Sequence, residues 1–417
     1  MALHVVNEAR RCLNCKKPLC KAGCPIETSI PEMIQDFLGG DLEQAGQRLF
    51  ENNPLSIICS LVCDHEKQCE GHCILNRKGM PVHISSIEHY ISDAYLERHP
   101  TARPPRNGKR VAIIGSGPAG ITISVVLASR GYDVTLFDSR EQIGGVLQYG
   151  IPDFRLPKTI LERYRKLLLE MGVRIRPNTM IGSALSVDDL FRDGYAAVFI
   201  GTGVWRPNTL KIKGESLGHV HFAIDYLSNP DAYDLGDSVA VIGVGNSAID
   251  AARTAIRKGS RHVTIYGRKP TAAASSREID YAKIDGVEFR FCLMPVELTE
   301  EGPVMRTLEY DEAGKAREIP GSDTLHPAQS IIIAISQGPR DYIVNTTTGI
   351  ETSQRGLVVT DECGSTSRPG VFASGDVVKG ARTVVEAVKY SRQVADAMDR
   401  YMQGQDTSLT IKDTPAR

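Results

Sequence analysis

Residues 111–120 read VAIIGSGPAG, and residues 239–252 read VAVIGVGNSAIDAA. Each is a short β-branched, apolar run that opens straight into a glycine turn and then a helix-forming segment. In the first, Gly115, Gly117 and Gly120 fall as G-x-G-x-x-G. The first glycine permits the tight turn, the second lets backbone approach a pyrophosphate, and the third lets the helix pack against the strand. The helix start then offers free N–H groups and a positive dipole end to phosphate. The next strand, VTLFD, ends on Asp138, at the distance where a carboxylate meets a ribose hydroxyl. A second glycine pair, Gly144-Gly145, follows it.

In the second run the three places are Gly243, Gly245 and Ala248, and alanine in the third still allows close helix packing. The following strand, HVTIYGRK, ends without a carboxylate and offers Arg268 and Lys269. A missing acid beside positive charge favours the 2′-phosphate of NADP over the bare ribose of NAD. A solvated basic loop is the other reading, so NADPH and NADH both stay open.

Working outward, strands alternate with helical segments from Lys109 onward, the pattern of βαβ units and parallel sheets. Two strand ends, Phe199–Pro207 and Ile331–Pro339, each close in a glycine turn followed by proline, as expected where a chain crosses between domains. Arg98–Arg110 is proline-rich and basic and reads as a linker. Ahead of it lie helical patterns at Ile30–Leu38 and Leu42–Phe50, with Ser29, Pro31 and Glu32 marking a helix start. The tail from Gln405 is polar.

Of ten cysteines, eight lie between Cys12 and Cys73; the others are Cys292 and Cys363. The first set is Cys12, Cys15, Cys20 and Cys24-Pro25; the second is Cys59, Cys63, Cys69 and Cys73. The C-x3-C-P ending is similar to ferredoxin-type spacing, where a motif's last cysteine ligates the other cluster. Thiolates suit iron–sulfur clusters and also structural zinc. A flavin in one of the two nucleotide sites would favour clusters, because they carry single electrons and Zn2+ has no redox chemistry. His65, His72, His83 and His89 lie among the cysteines and read as surface or supporting residues.

The net charge of −1 gives no argument for nucleic acid or an anionic membrane as a partner. No stretch approaches the ~18 apolar residues of a membrane span, and the first residues lack a secretory pattern. The expected location is therefore cytoplasmic. No Ser–His–Asp, Cys–His or H-E-x-x-H constellation is present, and no C-x2–4-C pair lies in the nucleotide-binding part, which argues against a dithiol relay.

Taken in order, RRCLNCKKPLCKAGCP, NPLSIIC through EGHC, GSGPAG, IGGVLQYGIPDFRLPK, GVGNSAIDAA and VFASGDVV resemble the small-subunit family of NADPH-dependent glutamate synthase. The same module is similar to the N-terminal half of dihydropyrimidine dehydrogenase and to the larger subunit of the bifurcating NADH-dependent ferredoxin:NADP oxidoreductase. The resemblance covers nearly the whole chain. It implies an α/β fold of two Rossmann-like dinucleotide-binding domains, the NAD(P) domain inserted in the FAD domain, preceded by an α-helical iron–sulfur domain. The expected boundaries are 1–105 for the helical domain with two [4Fe–4S] clusters, 106–205 and 336–417 for the FAD domain, and 206–335 for the NAD(P) domain.

The resemblance further implies that FAD sits on Gly115–Gly120 and Gly145, with Asp138, Val146 and Arg155 nearby. Gly375, Asp376, Thr383 and Val384 close that site. The nicotinamide cofactor would sit on Gly243 and on Gly245, Asn246, Ser247 and Ala248, with Arg268 and Lys269 at its ribose. Carried over from dihydropyrimidine dehydrogenase, ligation is crossed. Cys12, Cys15, Cys20 and Cys73 would hold one cluster; Cys24, Cys63, Cys69 and Glu88 would hold the other, leaving Cys59 out. Ser336 and Ser391 stand where the family usually has glycine, and basic residues beyond Lys269 match poorly, Arg277 included. The implied role is an electron-transfer subunit serving a larger catalytic oxidoreductase subunit. A stand-alone diaphorase, a bifurcating flavoprotein and a zinc-stabilised nucleotide-sensing subunit are the alternatives.

Overall fold

A computed structural model describes residues 2–98 and 104–405. Residues 99–103 of the expected linker and 406–417 of the tail lie outside the described residues. The chain divides into two compact units. One comprises residues up to Leu147, Arg155–Val204 and the chain from Pro339 on; the other comprises Gln148–Phe154 and Trp205–Gly338.

Ten parallel strands organise the two nucleotide-binding sheets. They are β1 (Arg110–Ile114), β2 (Asp133–Phe137), β3 (Arg174–Arg176), β4 (Tyr195–Ile200), β5 (Val220–Phe222), β6 (Ser238–Ile242), β7 (His262–Tyr266), β8 (Glu288–Arg290), β9 (Ser330–Ile333) and β10 (Val371–Ala373). The first sheet runs β10-β4-β1-β2-β3, and the second runs β5-β9-β6-β7-β8. Both are parallel throughout. The central strands β1 and β6 are those that carry the two glycine runs, so the internal repeat in the sequence is a repeat of sheet order. Only the outermost strand differs in origin: β10 comes last in its unit and β5 first.

In the first unit, after helices Ala2–Ala9 and Leu19–Gly23, come α1 (Ile30–Leu38), α2 (Leu42–Asn52), α3 (Ser56–Val62) and α4 (Ile84–Arg98). Ile84, Ile87, Ile91 and Tyr95 form the buried stripe of α4, at the spacing that keeps one helix face inward. Ile84, Ile87 and Ile91 meet Met33 and Ile34 of α1 and Leu49 of α2 in one core, each buried aliphatic side chain contributing roughly 1.5–3 kcal/mol. A Cβ on Gly46 would fall 2.5 Å from the Tyr95 ring, so α2 and α4 cross at the glycine. Asp41 caps α2 by accepting from the Gln44 amide at 2.8 Å. Ser29 does precede α1, but its hydroxyl accepts from Lys21 Nζ at 3.1 Å instead of capping the helix.

These helices are tied to the first sheet's own helices. Tyr164, fully buried on α6 (Lys158–Glu170), donates to the Pro54 carbonyl at 2.6 Å. Arg392 of the C-terminal helix Val384–Met402 donates to the Asn52 carbonyl at 2.7 Å. Helix α5 (Pro118–Ser129) is buried nearly all round, because the sheet lies on one side and the C-terminal helix on the other. Ser391 is buried within that C-terminal helix, and its hydroxyl lies 2.7 Å from that of Ser374. The serine at this usual glycine position is thus satisfied by a second serine, which offsets the cost of burying a hydroxyl.

In the second unit, α7 (Asn246–Arg257) packs on the sheet through Ala248, Ala251, Ala252 and Ala255. An antiparallel hairpin, Leu293–Thr299 with Gly302–Tyr310, is added beside it, a feature the sequence pattern did not suggest. Residues 148–154, expected within the FAD domain, group with this unit. Ser228 Oγ donates to the Tyr149 carbonyl at 3.1 Å, and the Arg257 guanidinium lies 4.1 Å from the Phe154 ring centroid. Arg253 is buried there between Glu278 at 2.6 Å and Asp285 at 2.8 Å.

Ser336, the other serine at a usual glycine position, has φ +74°, the left-handed region that disfavours a Cβ. Ser336→Gly is expected to stabilise the second unit by roughly 0.5–1 kcal/mol, the relief of strain exceeding the extra chain entropy lost. Urea unfolding checks this; a destabilised variant would contradict it.

Candidate functional site

The β1 loop is built so that side chains are excluded. Gly115 has φ +99°, and a Cβ there would lie 2.5 Å from the Gly201 carbonyl oxygen. A Cβ on Gly120 would lie 1.9 Å from the Gly115 carbonyl oxygen. Gly117 is the first residue before α5 and has no side chain to cap it, so the leading amides of α5 are left for a ligand. Gly145 packs on it, its own ideal Cβ position 2.8 Å from Gly117 Cα, and the Gly144 amide donates to the Ser116 carbonyl at 2.9 Å. Asp138 is oriented by three donors: the Ser116 amide and the Arg140 amide, each at 2.8 Å, and the Ser116 hydroxyl. A carboxylate has about four acceptor positions, so capacity for a ribose remains.

Gly375 approaches the start of α5, where its Cβ would lie 3.1 Å from Ala119 Cβ. Asp376 follows it and accepts from the Arg382 amide at 3.1 Å. Thr383 and Glu386 cap the C-terminal helix reciprocally, and Val384 is its first residue. Residues 115–120, 144–145 and 375–376 therefore meet around one helix start. Val146 begins a short helix beside them, and half-buried Arg155 opens the segment by which the chain re-enters this unit.

Burial pushes the Asp376 carboxyl up to about 6. The folded state then binds its proton more tightly than the unfolded chain, so the stability linked to it is present at low pH and lost as pH rises towards 6. In flavin-free protein, the advantage of Asp376→Asn over wild type is expected to grow by roughly 2–3 kcal/mol between pH 4 and pH 7. Denaturant unfolding at the two pH values reads it; a difference that does not change with pH would contradict it.

The β6 loop repeats the construction. Gly243 has φ +132°, and its Cβ would strike the Ala334 carbonyl oxygen at 2.2 Å. Gly245, before α7, has open space around its Cβ position. Ala248 is fully buried against the sheet. The Asn246 side chain accepts from the Ser275 amide at 3.3 Å, and the Ala273 and Ala274 amides donate to the Val244 carbonyl, drawing residues 273–275 over the loop. Ser247 lies in the first turn of α7. Arg268 and Lys269 are exposed just beyond β7, and the Tyr310 hydroxyl pins the Arg268 carbonyl at 2.8 Å. Exposed Arg277 bonds the Tyr281 hydroxyl at 3.2 Å.

The eight cysteines of the helical domain separate into two groups that cut across the two sequence motifs. Cys12, Cys15, Cys20 and Cys73 line one pocket of about 210 Å³, walled by Ile30, Ile34, Val82 and Ile84. Burial pushes the Cys20 thiol up to about 11 and raises Cys12, with the other thiols of the group adding to both. In the second group, Cys63 is raised first by its bond with Cys59, then by burial, Glu88 and Cys69. Cys69 is raised by burial, then by Glu88, Glu70 and Cys24. Glu88 is itself buried and pushed up to about 8 by that burial and by Glu70. Cys59 stands one turn before Cys63 on α3, beside it in space.

Among the described residues, no three of His, Cys, Asp and Glu converge closely enough to hold a single metal ion. A cubane cluster spreads its ligands around a larger body, and soft thiolates in an apolar pocket are the donor set it takes. The residues present fit clusters in both groups. Burial opposes the charged forms of Cys12, Cys20, Cys69 and Glu88, so their ionised state needs a positive partner in each group.

Two dinucleotide folds behind a cysteine-rich helical domain define a nicotinamide-dependent flavoprotein oxidoreductase with an iron–sulfur domain. The comparisons agree. The family model for dihydropyrimidine dehydrogenase domain II, 4Fe–4S cluster, matches residues 2–100, and that for pyridine nucleotide-disulphide oxidoreductase matches 109–391. The small chain of NADPH glutamate synthase from Escherichia coli K12 is 33% identical over 95% of this chain and 91% of its own length. The subunit PreT of NAD-dependent dihydropyrimidine dehydrogenase from Salmonella typhimurium LT2 is 33% identical over 96% of this chain and 95% of its own. FprA from Mycobacterium tuberculosis, solved with NADPH, shares the fold with TM-score 0.61 at 19% identity, over 72% of this chain and 85% of its own. The chain belongs to the glutamate synthase small-chain family of NAD(P)H-dependent oxidoreductases. No helix among the described residues is long and apolar enough to cross a membrane.

Proposed function

We propose that this chain is an electron-transfer subunit that moves reducing equivalents between NAD(P)(H), FAD and two [4Fe–4S] clusters, to or from a larger catalytic subunit. When bound, the flavin exchanges electrons in pairs with the nicotinamide and singly with the clusters. The β1 loop with Gly145, Asp138, Gly375 and Asp376 would hold FAD, and the β6 loop would hold the nicotinamide nucleotide. Cys12, Cys15, Cys20 and Cys73 would hold one cluster; Cys24, Cys63, Cys69 and Glu88 would hold the other. No protein acid or base is required for the transfer, so the residues' work is positioning and exclusion of water.

The observation that carries this reading is the sharing of one compact unit by both cysteine groups and the β1 loop. Within it, α3, which ends at Val62 with Cys63 next in the chain, touches the C-terminal helix that starts at Val384. Tyr164, fully buried on α6, donates to the Pro54 carbonyl just ahead of α3 at 2.6 Å. These contacts support placing the second cysteine group on the side of the flavin-binding sheet, while the first opens outward beside the exposed side chains of Leu13, Leu19 and Ile74. The order of centres follows: flavin, inner cluster, outer cluster, partner. Two relatives whose names mark them as a small chain and a subunit support the existence of that partner.

The test is anaerobic titration of the purified protein with NADPH and with NADH, followed in the visible spectrum. Bleaching of flavin and of the broad cluster absorbance together supports the reading; flavin bleaching with no cluster change refutes the relay. For the nucleotide preference, Arg268→Ala with Lys269→Ala is expected to raise KM for NADPH about tenfold or more and leave KM for NADH unchanged, the loss of charge-assisted phosphate contacts. Equal effects on both nucleotides would refute a role at the 2′-phosphate.

A further inference from the structure

The mouth of the outer cysteine pocket carries a surface whose partner the electron-transfer reading does not describe. Leu13 is 60% exposed, Leu19 46%, Ile74 41% and Met80 66%, a concentration of large apolar side chains in a protein whose other described apolar residues are mostly buried. Leu13, Leu19 and Ile74 line the pocket itself. Met80 is fixed next to it, because Arg11 donates to the Met80 carbonyl at 2.6 Å and to that of Pro81 at 3.1 Å. Contiguous exposed apolar area of this kind marks an interaction site.

The rim is predominantly positive: its acids are exposed Glu32, on the helix that supplies Ile30, Pro31 and Ile34, and Glu8, which is paired with Arg11 at 2.5 Å. The two loop segments that form most of the pocket's mouth, residues 9–26 and 71–85, contain no aspartate or glutamate. They contain Arg10, Arg11, Lys16, Lys17, Lys21, Arg77 and Lys78, in a chain whose net charge is −1. Balancing the charge of four thiolates accounts for a cation in the pocket wall, and Lys17 is there. It does not account for Lys16, Arg77 and Lys78, which are exposed and outside that wall. An apolar centre inside a predominantly positive rim is the anatomy of a protein interface, with the rim steering encounter.

We propose that this face is the electron port: the docking site for an acidic redox protein or subunit, which seats an apolar patch on Leu13, Leu19, Ile74 and Met80 and brings its own redox centre against the outer cluster. A second copy of this chain is disfavoured, because the same positive rim would face itself. The proposal rests on the electron-transfer reading above and adds the place and the charge of the partner.

The holoprotein is mixed in a stopped-flow instrument with a photoreduced, acidic plant-type [2Fe–2S] ferredoxin, and reduction of the flavin and clusters is followed. Wild type is expected to react with a second-order rate constant that falls about tenfold or more as salt is raised. Lys16→Glu with Lys78→Glu is expected to lower the low-salt rate constant about tenfold, and Met80→Ser to lower it several-fold at all salt concentrations. Both variants should keep wild-type iron and flavin content and wild-type nicotinamide-driven reduction of a small uncharged quinone. A fast, salt-independent reaction unchanged in both variants overturns the docking face and leaves the relay standing. Absence of cluster reduction in wild type, with iron present, overturns the relay and the port together. Two further results overturn the port alone: a homodimer by sedimentation that Met80→Ser splits, and binding to phosphatidylglycerol vesicles that Lys16→Glu with Lys78→Glu abolishes.

Discussion

Cys73→Ser and Cys20→Ser are expected to abolish the same cluster, while Cys24→Ser abolishes the other. The sequence places Cys20 and Cys24 in one motif and Cys73 in the next, so motif-by-motif ligation pairs them differently. The structure puts Cys20 and Cys73 in one pocket with Cys12 and Cys15, and sets Cys24 beside Cys69 and Glu88. Each variant should lose about half of its iron and keep its flavin, because a lost thiolate leaves a cubane one ligand short. Low-temperature EPR of the reduced proteins distinguishes the two centres. The same signal should vanish in Cys20→Ser and Cys73→Ser and survive in Cys24→Ser. If Cys20→Ser and Cys24→Ser lose the same signal, ligation follows the motifs and the crossed assignment fails. Cys59→Ser, outside both ligand sets, should keep both signals.

Gly120→Ala is expected to yield protein with less than about a tenth of the wild-type flavin and a fold weaker by about 3 kcal/mol or more. The new methyl group would lie 1.9 Å from the Gly115 carbonyl oxygen, and backbone on both sides leaves no flexible end to move. Overpacking against mobile side chains costs about 1–3 kcal/mol, and this contact is worse than that case. The equivalent place in the second loop is already alanine, Ala248, and is buried without strain. Gly245→Ala gives the contrast: nothing lies within 4 Å of its Cβ position, so stability and flavin content should stay at wild-type values. Its effect should fall on nicotinamide affinity, since the methyl group points into the space where pyrophosphate would approach. Flavin fluorescence after denaturation, urea unfolding and KM for NAD(P)H separate the two outcomes. A flavin-replete Gly120→Ala protein would contradict the account of the β1 loop.

The parts of the fold that were legible in the sequence are those where local chemistry has one solution. A strand running into Gly115 or Gly243 can only turn as it does, since both need φ values closed to other residues. The alternation of strands and helices then fixes parallel sheets. The pairing of Gly145 with Gly117 was half visible, as a second glycine pair with no stated partner. Residues 148–154 were not legible, because Phe154 finds its place only when Arg253 and Arg257 are already on α7. The hairpin Leu293–Tyr310 was missed because its strands are only partly buried and do not alternate cleanly. Cysteine spacing gave the presence of soft-metal ligands and could not give their grouping, which depends on how α1, α3 and α4 pack. Glu88 could be singled out only through the resemblance; its burial on α4 is a fact of the folded chain.

The central claim is that this chain joins a flavin to two iron–sulfur clusters in one protein. The most direct measurement is iron, acid-labile sulfide and FAD in the same anaerobically purified sample, followed by EPR after addition of NADPH or NADH. The account expects about eight iron and eight sulfide per FAD, with two distinct cluster signals appearing when the nicotinamide is added. One FAD with zinc in place of iron, or clusters that stay silent while the flavin is fully reduced, would contradict it.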